Sequence, residues 1–419
     1  MRGASAGLAH DRRLVLWLSL AQLISWGSLF YTFTLLMEPV QRELHLGRAE
    51  VSLAFSLALL AEGLCAYPVG RWIDRGHERI VMTGGSVLAG AGLLLHSGVH
   101  TLAGFYAVWT LLGVAMAATL YAPVFALVTR RFPQDFRRAI ITMTFLGGLA
   151  STVFIPLSAW LIAMFGWRQT LWWLAGLQFL CCVPIHARLL KRAPRPVRAD
   201  TTAQGRGTVS MRPYLSSAPF LLLAVFVVLM MAVTAALPAH MVSLLREQGL
   251  SEAWVIAVPA SMGVIQVVGR ALLFFFERHF DLHLANRVIP CLLPAGLAAL
   301  LLAPWFQRLG GSAWGLAFVL LFVLLYGMGN GMLTIVKGTA IAQYVNREHV
   351  ASLNGALGIP LALARAAAPL TLGLLWTRQA GYAYGLWLML GLSGVAITAL
   401  LMAQRRALRA QADTASLPT

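Results

Sequence analysis

GRWIDRGHERI, running from Gly70 to Ile80, is a dense polar run in an otherwise apolar neighbourhood. Arg71, Asp74, Arg75, Glu78 and Arg79 fall inside it, with roughly thirty mostly apolar residues on either side. A charge at the centre of a bilayer costs about 2.5–3.5 kcal/mol on insertion scales. So many charges therefore cannot lie in hydrocarbon, and the run is expected to be a short connection at a membrane face between two crossing helices.

The rest of the chain agrees. Of its 419 residues, 59% are hydrophobic and only 11% charged, with a mean hydropathy of +0.75. Soluble domains carry about a quarter charged residues, so the class is a polytopic, all-α membrane protein. Twelve apolar segments can each span about 30 Å of hydrocarbon. They lie near 14–37, 51–73, 79–97, 102–129, 137–165, 168–190, 217–245, 252–276, 283–305, 312–344, 350–377 and 380–403. The first, preceded by Arg2, Arg12 and Arg13, reads as a retained helix rather than a cleaved signal.

Basic residues set the expected orientation. With the N-terminus cytoplasmic, 23 of the 32 Lys and Arg residues fall on the cytoplasmic side and 6 on the outer side. The positive-inside rule then puts both termini in the cytoplasm and explains the net charge of +17 without a nucleic-acid partner. The stretch 191–213, KRAPRPVRADTTAQGRGTVSMRP, reads as a flexible basic connection. It divides the chain into a six-helix half at 1–190, a cytoplasmic linker at 191–216 and a second six-helix half at 217–419. FFFERHF at 274–280 echoes RWIDRGH, with Glu277 and Arg278 in the places of Asp74 and Arg75. Paired halves are a transporter plan with the substrate site near the midplane.

The polar run resembles the signature between helices 2 and 3 of the major facilitator superfamily, roughly G-x-x-x-D-[RK]-x-G-[RK]-[RK]. Gly70, Asp74, Arg75 and Arg79 fit it, while Gly76 comes one place early. SWGSLFYTFTLLMEPVQREL in the first segment, FGWRQTLWW before the sixth and IQVVGRALL in the eighth look like the bacterial branch of monocarboxylate porters and oxalate–formate exchangers. The resemblance implies the twelve-helix facilitator fold, alternating access, and a carboxylate-binding arginine at Arg270. It also implies that Asp74 meets the start of helix 11 and latches the cytoplasmic side. Gln266 stands where those porters often have an aspartate, and Tyr31 is followed by Leu35 where they often have a lysine.

Four firm charges fall well inside the segments: Glu62, Arg270, Lys337 and Arg365. Three cations against one carboxylate call for a counter-ion, which an anionic substrate would supply. Arg270, Arg365 and Lys337, with Tyr31 and Gln266, are the candidate substrate contacts; Glu62 is the candidate carrier of a proton or other coupling ion. Gly70, Asp74, Arg75 and Arg79 form the candidate gating loop. Trp26, Tyr121 and Tyr326 are further candidates for a cavity wall, and His240 for proton movement. Gly147, Gly148 and Pro156, then Gly327, Gly329, Gly331 and Gly338, then Pro360 and Pro369, mark sites of close helix approach or kinking.

The four cysteines lie in apolar segments without a metal or disulfide pattern. No metal, cofactor or catalytic residue is expected, since neither DDxxD, HExxH nor GxxxxGK[ST] occurs. The expected protein is a monomeric, multi-pass secondary transporter of a small organic anion in the inner cell membrane. Efflux of a drug or metalloid, or a non-transporting role on the same fold, is equally compatible with the spans alone.

Overall fold

The computed structural model describes residues 2–131, 136–190, 212–276, 282–346 and 350–415. Residues 191–211 of the expected linker, Glu277 and Arg278 of the internal echo, and Arg347 lie outside them.

The described residues are almost wholly helical, with one isolated bridge between Thr377 and Gly381. Their apolar helices give twelve membrane spans. We name them α1 (Arg13–Leu44), α2 (Arg48–Ile73), α3 (Glu78–Ser97) and α4 (Leu102–Val128). The 48-residue run Thr142–Leu189 is more than twice what a bilayer needs. It breaks at Gly166, whose φ of 77° suits a residue without a side chain, and so gives α5 (142–165) and α6 (167–189). Then follow α7 (Ala218–Glu247), α8 (Glu252–Leu272), α9 (His283–Gly310) and α10 (Ser312–Thr334). The helix of α10 continues to Tyr344. Last come the shorter α11 (Gly358–Leu374) and α12 (Ala383–Arg409). The outward surface is apolar, and Trp160, Trp172, Trp173, Trp305, Trp314 and Trp387 are exposed near span ends, as expected of aromatic belts at a bilayer interface.

The GRWIDRGHERI run is tighter than the expected loop. α2 passes into a π-helical turn at Ile73–His77, broken only at Gly76 (φ 85°), and α3 starts at once. Asp74 and Arg75 belong to this turn, and Gly70 to the last turns of α2. Arg79 at the start of α3 donates to the Ala187 carbonyl at the end of α6 (2.8 Å).

The chain forms two compact units, 1–197 with Pro238–Val264, and 198–237 with Ile265–Thr419. In the first unit, Pro238–Val264 packs on α1, α2 and α5. Arg246 pairs with Glu38 and Glu252, Arg48 pairs with Glu247, the Val242 amide donates to Thr34 Oγ1 (3.3 Å), and Thr152 Oγ1 donates to the Ala260 carbonyl (2.6 Å).

The first unit also holds two joined irregularities. α1 runs as a π-helix over Trp26–Tyr31, and α4 breaks at Leu120 (ψ −160°). Gln22 Nε2 donates to the Thr119 carbonyl at that break (2.6 Å), so the interrupted ladder keeps a partner inside the membrane. The break turns Tyr121 against Trp26, ring centroids 5.0 Å apart.

Candidate functional site

The second unit contains the three partly buried cations singled out above. Beyond Glu252, α8 has no Asp or Glu, and neither have the α10 helix and α11. Arg270, Lys337 and Arg365 thus lie on helices without an acid of their own.

Helix contact fixes Arg270. A side chain on Gly331 would overlap the Gln266 carbonyl, so its bare backbone lets α10 lie directly on α8. At that crossing Arg270 Nε donates to the Gly331 carbonyl (3.1 Å), which also accepts from Thr334 Oγ1 (2.9 Å). A guanidinium bonded through Nε keeps a fixed plane, with its remaining N–H groups in the fork that matches a carboxylate. Gln266 is one helical turn from Arg270, and its backbone forms the crossing.

Lys337 and Arg365 are partly buried, and Arg365 acts on Lys337 electrostatically. Two like charges in a low-dielectric interior repel, and an anion beside them offsets that cost. Arg270 is joined to α10 through Gly331, and Arg365 to α10 through its field at Lys337.

The other candidates fall elsewhere. Glu62 is partly buried in α2 of the first unit. Tyr31 belongs to the π-helical turn and lies 6.4 Å from Trp26 and 5.3 Å from Phe30 between ring centroids. Trp26, Tyr31 and Tyr121 therefore form one aromatic cluster, as Tyr121 also stacks on Phe125. Tyr326 is not a wall residue: it is 2% exposed, and its hydroxyl donates to the Val233 carbonyl (3.3 Å). His240 is buried with Nε2 3.3 Å from Ser52 Oγ. Gly331 and Thr334 are site neighbours that charge-based reading misses. Their signal is the small-residue run GMGNGM at 327–332, which marks close approach but not what it serves.

The family model of the Major Facilitator Superfamily matches residues 18–336. The chain belongs to the major facilitator superfamily. This facilitator is accordingly a multi-pass membrane transporter and not an enzyme, with the twelve-helix fold of its family. Solved structures agree. A bacterial homologue of the human lysosomal transporter Spinster, inward-facing and unoccupied, superposes with a TM-score of 0.71 at 16% identity, covering 96% of this chain and 98% of that one. Its inward-facing, occupied form gives 0.69 at 14% identity, covering 94% and 97%. The nucleoside transporter NupG gives 0.64 at 16% identity, covering 93% and 98%. Identities this low show a shared fold. No curated protein matches the chain.

Proposed function

We propose that this facilitator is a secondary active transporter of a small organic anion of the carboxylate type, working by alternating access. The observation that carries the reading is the set of cations on α8, α10 and α11 without an acid on those helices. Arg270 and Arg365 are the carboxylate contacts, Lys337 strengthens their field, and Gln266 and Tyr31 contribute further substrate contacts. Glu62 is the candidate site for a coupled proton or other ion, because a carboxylate inside a span is costly without a function. Gly70, Asp74, Arg75 and Arg79 form the gating turn, with Asp74 as a latch during cycling.

Topologically, the proposal has six-helix halves at 1–190 and 217–419 joined by a linker at 191–216. The linker and both termini are cytoplasmic, in the inner cell membrane, on the 23-to-6 basic asymmetry. An impermeant thiol reagent should leave a cysteine at Gly205 unlabelled in intact cells; labelling there would reverse the orientation. The function is tested by a thermal-shift screen of purified protein against small mono- and dicarboxylates, neutral sugars and nucleosides, and organic cations. Stabilisation by carboxylates alone is expected, growing with ligand concentration as RT ln(1 + [L]/Kd). Stabilisation confined to neutral or cationic compounds would refute it.

A further inference from the structure

The second unit contains an apolar cavity of about 200 Å³ beside the Arg365 segment. Its origin is legible in α11, where Ala364, Ala367 and Ala368 present only methyl groups along the wall. α7 closes one side with Ala232 and Ala236, and α12 the other with Leu388. Thr371, on the same wall, turns its hydroxyl back to the Ala367 carbonyl (2.9 Å), so it offers the cavity no polar group. Gly385 has no side chain, and Leu372 of α11 fills that space, which brings α11 and α12 together beneath the opening. Leu388 at the rim is 40% exposed, so the mouth opens on the apolar outer surface.

Size and position indicate what fits. An apolar cavity of about 150 Å³ stays dry and binds benzene, and this one is larger. The wall runs from Ala364 to Leu375, about 16 Å at about 1.5 Å per residue. Arg365 directly follows Ala364 in the chain and acts electrostatically on Lys337. Arg365 and the apolar slot therefore share one stretch of α11, with Arg365 beside the Ala364 end of the wall.

We propose that the cavity takes the apolar part of the transported anion, a chain of about five or six carbons or a single ring, while Arg365, its field strengthened by Lys337, holds the carboxylate. The substrate class narrows to amphipathic monocarboxylates. This rests on the anion reading above, and the experiment separates the two.

The test is equilibrium binding to purified full-length protein with acetate, hexanoate and 1-hexanol as probes. Hexanoate should bind wild type at least about tenfold more tightly than acetate; complete burial of four more methylenes gives an upper bound of roughly 200-fold. Ala368→Leu and Ala236→Leu fill the cavity and should collapse the hexanoate-to-acetate ratio toward one. A melting temperature held or raised in either variant shows that the protein is folded. Arg365→Gln should weaken both acids and leave the ratio large. If 1-hexanol binds wild type but not the filled variants, and acids have no advantage over it, the cavity assignment stands and the anion reading falls. Equal affinity of wild type for hexanoate and acetate, or an undiminished ratio in both folded variants, overturns the proposal.

Discussion

At the scale of the residue, the account turns on charge in a low-dielectric interior. Arg270 was identifiable from the sequence because a cation inside a span needs a compensating partner. Its bond to the Gly331 carbonyl was not, because Gly331 is 61 residues away and the glycine run that holds it signals only close packing. We predict that Arg270→Gln weakens carboxylate binding by about 2–5 kcal/mol, as for a buried charge pair that loses one partner, and that Arg270→Lys also fails to restore wild-type affinity. An ammonium keeps the charge but not the planar fork. Calorimetry with the best-binding acid is the check, and wild-type affinity in Arg270→Gln would remove Arg270 from the site. Glu62→Gln should abolish pH-gradient-driven accumulation yet keep exchange of unlabelled for labelled substrate. Undiminished accumulation at imposed proton gradients would free Glu62 from coupling.

At the scale of the element, the sequence shows where helices lie better than where they bend. All twelve spans follow from apolar length, and the FGWRQTLWW turn correctly separates α5 from α6 at Gly166. The π-helical turn at Trp26–Tyr31 contains no proline to announce it, whereas the break at Leu120 has a local signature in Pro123, which has no N–H to give the Thr119 carbonyl that Gln22 satisfies instead. The break at Gly166 also delivers Arg168 to its partners. Arg168 bonds Glu43, the Ser97 carbonyl and the Val99 carbonyl, and lies 4.3 Å over the Trp167 ring. It thereby ties the ends of α1, α3 and α6 together. Arg168→Ala should destabilise the protein by about 1–3 kcal/mol through the carbonyls it leaves unpaired, read as a lowered melting temperature in detergent. An unchanged melting temperature would show the network to be incidental. In the signature turn, Asp74→Asn should slow transport while equilibrium binding stays near wild type. Wild-type turnover in that variant would exclude the latch.

At the scale of the whole molecule, the fold was legible because the bilayer allows few solutions: apolar length gives spans, and basic asymmetry gives an expected orientation. Part of the packing was not. Nothing local to Pro238–Val264 says that it joins the first unit, because its anchors, Arg48 with Glu247 and Glu38 with Arg246, pair residues about 200 positions apart. Of the substrate, the sequence shows only that the spans of the second half carry positive charge. The alanine run after Arg365 reads as plain helix until α7 and α12 enclose it. The central claim is that this facilitator moves organic anions, and counterflow in proteoliposomes tests it most directly. Vesicles loaded with a high concentration of unlabelled hexanoate should take up labelled hexanoate transiently above equilibrium with wild-type protein, and not with Arg365→Gln. Counterflow obtained only with a neutral or cationic solute, or equally with Arg365→Gln, would contradict the account.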